Sequence, residues 1–160
     1  MAQESFIDVV RERAGRLRER CAFTFLGDGE APTERLTYAE VDRKARSIAA
    51  DLQSRGAAGE RVLLLFPPGL DFVTSFLGCL YAGAVAVPAY PPSPGRGTGR
   101  LRNLLEDAKP RLALTTPALL ERVEREVPEA AALEGLSPED WHPPAIGADT
   151  LAFLQYTSGS

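Results

Sequence analysis

Thr157, Ser158, Gly159 and Ser160 form a run of small and hydroxyl-bearing residues directly after the apolar segment Leu151-Ala152-Phe153-Leu154-Gln155 and Tyr156. Such a run suits a phosphate group. Small side chains let the backbone come close, hydroxyls donate hydrogen bonds, and successive N–H groups can be aimed at one anion. Ser/Gly runs also make ordinary turns. Residue types alone therefore leave both readings open, and the setting, a strand pattern leading into the run, favours the phosphate.

Other groups with chemical potential read more simply. His142 is the sole histidine and could serve as a base near neutral pH, but it sits among prolines in Trp141-His142-Pro143-Pro144 with no partner implied by spacing. A structural or exposed role is expected for it, and packing for Trp141. Asp71, and Glu106 with Asp107, fall near a helix start and late in a charged helix, where capping and solvation account for them. Gly95-Arg96-Gly97-Thr98-Gly99 misses the dinucleotide spacing, because Arg100 occupies the third glycine position, and reads as a connector. Tyr90-Pro91-Pro92 follows a strand end, where a cleft can form, yet prolines there can equally just stop a strand. No residue is assigned a catalytic role, and no metal-ligand set emerges.

The elements that would carry the Thr157–Ser160 run follow from periodicity. Residues 5–20 place Phe6, Val9, Val10 and Leu17 on one helical face. A strand over 22–26 closes in the turn Gly27-Asp28-Gly29, and 34–37 is a second short strand. Thr37-Tyr38-Ala39-Glu40 is a capping box, opening a helix that puts Val41, Ala45, Ile48 and Leu52 together and ends near Gly56. The run 62–66 is apolar throughout, as a central parallel strand must be. Pro67-Pro68-Gly69 turns the chain into a helix with Val73, Phe76, Leu77, Leu80 and Tyr81 buried, closed by Gly83. A strand over 84–89, a helix with Leu101, Leu104, Leu105 and Ala108 inward, and a strand over 112–114 follow. Thr116-Pro117 starts a further helix, with a cap residue and proline in its first position. Residues 128–150 read as an irregular connection to a final buried strand.

Repeated strand–helix–strand units imply an α/β fold with a parallel or mostly parallel sheet covered by helices. Ligands collect at the carboxyl ends of such strands, which is where the Thr157–Ser160 run falls. The 160 residues suffice for one core, and 44% hydrophobic with 25% charged residues is ordinary globular composition. A net charge of -4 argues against nucleic acid as a partner. The arginines between 11 and 20 alternate with Glu12 and Glu19 and read as a solvated face. Two cysteines, Cys21 and Cys79, build neither a zinc cluster nor a disulfide scaffold. With no signal-peptide core and no apolar stretch of about 18 residues, a cytoplasmic location without a transmembrane segment is expected.

Four segments carry a resemblance. They are Leu36-Thr37-Tyr38-Ala39-Glu40-Val41-Asp42; Gly59-Glu60-Arg61-Val62 with Pro67-Pro68-Gly69-Leu70-Asp71-Phe72; the stretch 76–92, ending Ala82-Gly83-Ala84-Val85-Ala86-Val87-Pro88-Ala89-Tyr90-Pro91-Pro92; and 151–160. Together they resemble the adenylate-forming superfamily, and the Val-Pro-Ala-Tyr-Pro-Pro string resembles its fatty acyl-AMP ligase branch. The resemblance implies the N-terminal part of an AMP-binding domain, residues 1–160, cut inside the ATP phosphate loop. It also implies that Thr157, Ser158, Gly159 and Ser160 bind the nucleotide. In the complete enzyme, a fatty acid would be activated by ATP with Mg2+ to an acyl-adenylate and passed to an acyl carrier protein thiol, in the manner of polyketide and nonribosomal peptide assembly. The fragment alone is expected to be inactive. The alternatives are a long-chain acyl-CoA ligase, with CoA as acceptor, and a non-catalytic truncated interaction module.

Overall fold

A computed structural model describes residues 5–93, 99–132 and 135–157. Helix α1 (Phe6–Arg16) opens with a capping box in which the Ser5 side chain accepts from the Asp8 N–H, and the Asp8 carboxylate accepts from the Ser5 N–H in return. The helix stops at Arg16, short of residue 20. It buries Ile7 and Ala14, while Phe6, expected inside, is 61% exposed. Ile7 and Ala14 are seven residues apart, two turns of one helical stripe, and Phe6 lies a full residue step off it.

Strands β1 (Cys21–Leu26) and β2 (Pro32–Thr37) form an antiparallel hairpin of their own. Thr37 ends that hairpin and caps α2 (Tyr38–Ser54): its hydroxyl accepts from the Glu40 N–H, and the Glu40 carboxylate accepts from the Thr37 N–H at 2.8 Å. The backbone hydrogen bond from Thr37 is the main reason the Glu40 carboxyl titrates below its usual range. Val41, Ala45, Ile48 and Leu52 are all buried, the face that their spacing calls for.

The main sheet has the order β4-β3-β5-β6 and is parallel throughout. Strand β3 (Arg61–Leu65) is central and fully buried after Arg61. Its side chains alternate between two cores. Val62 and Leu64 join a cluster with α2 and α3 (Leu70–Ala82), while Leu63 and Leu65 join Leu104 and Ala108 of α4 (Gly99–Ala108) and Val123 of α5 (Leu120–Glu124). The result is a three-layer α/β/α arrangement, which explains why β3 reads as a continuous apolar run. Each fully buried leucine contributes about 1.5–3 kcal/mol.

Helix α3 follows the Pro67-Pro68-Gly69 turn and ends at Gly83, whose φ of 72° is left-handed, the conformation that glycine adopts without strain at a helix end. Its buried face is broader in small residues than the pattern implied. Thr74, Ser75 and Gly78 are buried, whereas Val73, Phe76 and Leu80 are only partly so. The cause is close approach to α2: a Cβ at Gly78 would lie 2.5 Å from Ile48 Cγ2.

Strands β4 (Val85–Ala89) and β5 (Leu112–Thr115) stand where expected. Three readings need correction. Thr116 does precede a helix with proline in its first position, a 3-10 turn (Pro117–Leu119) running on into α5, but the Thr116 side chain makes no cap hydrogen bond. The stretch 128–150 is not wholly irregular, because Ala130–Ala132 pairs with β5 as strand β6. The closing segment is not a buried strand: Leu151 is 52% and Phe153 45% exposed, and a single parallel bridge, Ala86 with Phe153, joins it to β4. A segment at the sheet edge has a neighbour on one side only, so its side chains keep part of their solvent contact. Of the glycine-rich connector 95–99, residues 95–98 lie outside the described residues, and Gly99 is already the first residue of α4.

Beyond β6 the chain straps back over α2 and α3. Gln53 Nε2 donates to the His142 carbonyl at 2.8 Å, and its Oε1 accepts from the His142 N–H at 3.2 Å. Trp141 is buried, its indole N–H donating to the Tyr81 carbonyl at 2.7 Å. The Tyr81 hydroxyl in turn donates to Asp42 at 3.0 Å, and burial followed by the nearby Asp42 charge pushes its pKa well up, so it stays a donor.

Candidate functional site

The carboxyl ends of β3 and β4 open into a cleft of about 810 Å³. Phe66, Pro67 and Pro68, following β3, form one wall, and Pro88 and Ala89, the last residues of β4, form another with Tyr90. Pro67 and Pro68 come after β3 has ended at Leu65, where no ladder donor is needed, whereas Pro88 sits within β4 opposite Leu64. From α3, Phe72 and Phe76 add an aromatic face, their ring centroids 6.2 Å apart. Leu101 and Leu104 of α4 face it, with Arg100 beside them.

The closing segment is brought to this cleft by two backbone hydrogen bonds. Ala86 N–H donates to the Ala152 carbonyl at 3.1 Å, and Leu154 N–H donates to the Ala86 carbonyl at 2.9 Å. The segment thereby runs parallel to β4 and leaves the sheet past its carboxyl edge. Side chains fasten it on both faces. Phe153 meets Phe76 edge-to-face at 5.6 Å, and the Tyr156 hydroxyl donates to Asp107 of α4. That bond is the chief cause of the raised Tyr156 pKa. Gln155, Tyr156 and Thr157 consequently line the cleft.

Of the four residues singled out for phosphate binding, Thr157 is at the cleft and exposed. Ser158, Gly159 and Ser160 lie outside the described residues. Two further residues contribute. Tyr90, 79% exposed, stands at the cleft, so of the two readings open for its string the cleft is the one that applies. Asp107 reads as a solvated carboxylate but anchors Tyr156; only its late position in α4, opposite a strand end, hints at this. His142 is exposed and remote from the cleft lining, contributing through its backbone.

The chemistry available is that of a binding surface. The lining is mostly apolar, and Arg100 is the charged residue among the described residues lining it. An apolar chain or ring can lie on the Phe72, Phe76 and Pro88 walls, with an anion near Thr157 and Arg100. Cys79 offers no nucleophile, since it is fully buried and burial pushes its thiol pKa far up. Among the described residues no group of three or more His, Cys, Asp or Glu side chains is placed to hold a metal ion.

Comparison with known proteins converges. The model of the AMP-binding enzyme family matches residues 10–160. A medium-chain-fatty-acid–[acyl-carrier-protein] ligase of Moorena producens is 38% identical, covering 98% of this chain and 29% of that protein. A long-chain-fatty-acid–AMP ligase of Mycobacterium tuberculosis is 33% identical over all of this chain and 30% of its own length. The crystal structure of a fatty acyl-adenylate ligase from L. pneumophila, in complex with acyl adenylate and pyrophosphate, superposes with a TM-score of 0.86 at 40% identity, covering 99% of this chain and 29% of that one. The chain thus spans less than a third of the length of these relatives.

Proposed function

The chain belongs to the AMP-binding enzyme family, and from that premise we propose that it is the N-terminal portion of a ligase that activates a fatty acid with ATP and delivers it to an acyl carrier protein. The observation that carries this reading is the route of the closing segment, which bridges to β4 and brings Thr157 to the cleft at the sheet's carboxyl edge. Residues 157–160 would hold the triphosphate as one side of a phosphate loop. The apolar walls around Phe72 and Phe76 suit the aliphatic or ring portions of the substrates.

In the proposed reaction a carboxylate oxygen of the fatty acid attacks the α-phosphorus of ATP. A P–O bond forms, the bond to the leaving pyrophosphate breaks, and the acyl-adenylate results. A phosphopantetheine thiolate of the carrier then attacks the acyl carbonyl and releases AMP. This chain's contribution is to bind and orient: hydroxyl and N–H donors of 157–160 stabilise charge that moves onto the departing pyrophosphate. Magnesium enters the proposal only as the ion that accompanies ATP. A cytoplasmic setting is part of the proposal. Among the described residues no helix is long and apolar enough to cross a membrane.

The test is product identity in the complete protein supplied with ATP, a fatty acid, and either holo acyl carrier protein or free CoA. Fatty-acid-dependent pyrophosphate release and acylated carrier are the expected results. Efficient acyl-CoA formation would instead favour the CoA ligase reading. No fatty-acid-dependent pyrophosphate release would overturn both.

A further inference from the structure

A second cleft, of about 590 Å³, lies between α1 and the first turns of α2 and shares no lining residue with the sheet-edge cleft. Its volume falls in the range of small-ligand sites. Four arginines line it, Arg11 and Arg18 from the α1 side and Arg43 and Arg46 from α2, against the carboxylates of Glu19, Glu40 and Asp42.

Of these carboxylates Glu40 accepts only from the neutral Thr37 N–H and hydroxyl and keeps its charge, which Arg43 offsets in part. Asp42 has a cationic partner: its two oxygens accept from the Tyr81 hydroxyl and from Arg46 Nε. Arg46 is thereby neutralised. Arg11, Arg18 and Arg43, by contrast, form no ion pair among the described residues. Arg11 is also held in place, its guanidinium 4.9 Å from the centroid of the Trp141 ring.

The guanidinium presents a planar fork of donors matched to two-oxygen anions. The apolar part of the lining is confined to Ala14, Gly15 and Ala39, too little for a lipid chain or an amphipathic helix. We propose that this cleft binds a small multivalent oxyanion, phosphate- or carboxylate-bearing, with Arg11, Arg18 and Arg43 as its ligands. Four arginines against the three carboxylates Glu19, Glu40 and Asp42 leave the lining with an excess of positive charge.

Trp141 is the single tryptophan of the chain and stacks on a proposed ligand, so its emission reports on the site. The full chain is titrated with inorganic phosphate, pyrophosphate and citrate at constant ionic strength, followed by Trp141 fluorescence and, independently, by calorimetry. Saturable binding of at least one of these anions is expected, pyrophosphate and citrate separating phosphate from carboxylate preference. Arg18→Ala combined with Arg43→Ala should weaken it by about tenfold or more, in line with loss of charge-assisted hydrogen bonds. Arg13→Ala with Arg16→Ala removes equal charge from α1 outside the cleft and should leave affinity within about twofold. The proposal is overturned if neither readout shows saturable binding, or if the two double variants weaken it equally.

Discussion

Thr157→Val together with Ser158→Ala, in the complete ligase, is expected to slow fatty-acid-dependent ATP–pyrophosphate exchange by about 10²–10³-fold, the effect of losing preorganised donors to a developing anion. Valine keeps the shape of threonine and removes its hydroxyl. Thr157 is exposed at the cleft and makes no side-chain hydrogen bond to another described residue, so the fold should not respond. The loss should fall mainly on kcat and less on the KM for ATP, because charge accumulates on the pyrophosphate only as the bond to it breaks. Exchange within about twofold of the parent would remove these hydroxyls from the phosphate site.

Gly78→Val addresses the scaffold behind the site. A Cβ at Gly78 would sit 2.5 Å from Ile48 Cγ2 and 2.8 Å from Ile48 Cβ, and 3.5 Å from the Ala45 carbonyl. Those distances leave no room for a side chain where α2 and α3 pack. Overpacking a rigid core in this way costs about 3 kcal/mol, which lowers Tm by roughly 6–12 °C for a domain of this size. Ile48→Ala should restore part of the loss when combined with Gly78→Val, since it vacates the contested space. A thermal melt checks both. If Gly78→Val alone leaves Tm unchanged, the helices do not approach as closely as described.

Much of the architecture is legible where local and global preferences coincide. The Thr37–Glu40 capping box fixes the start of α2, and the continuous apolar run of β3 announces burial on both faces, which the split of Val62 and Leu64 from Leu63 and Leu65 bears out. Strand β6 is illegible for the opposite reason. Ala130, Ala131 and Ala132 have little strand preference of their own, and what makes them a strand is the register with Ala113, Leu114 and Thr115 of β5. Phe6 has the spacing of a helix face, but the buried stripe, Ile7 and Ala14, runs one residue away from it.

The candidate site is legible only in its setting. An apolar segment ahead of the hydroxyl-rich run is visible in sequence, and it does lie beside β4 through the bridge from Ala86 to Phe153, but as an exposed edge segment and not as the buried strand that its pattern implies. The packing that holds the segment is not visible. Asp107 and Tyr156 are 49 residues apart and meet only because α4 covers the same face of the sheet. Phe76 and Phe153 meet on the other face. Pairings across layers depend on the assembled sheet, which no local pattern encodes.

If residues 157–160 cradle triphosphate oxygens at the carboxyl edge of the parallel sheet, as we propose, a crystal structure of the complete protein with a non-hydrolysable ATP analogue will show it. The β- and γ-phosphate oxygens should then lie within about 3 Å of the hydroxyls and N–H groups of this run, a hydrogen-bond distance, with the bridge to β4 intact. Phosphates bound elsewhere, with the run turned away from them, would contradict the proposal.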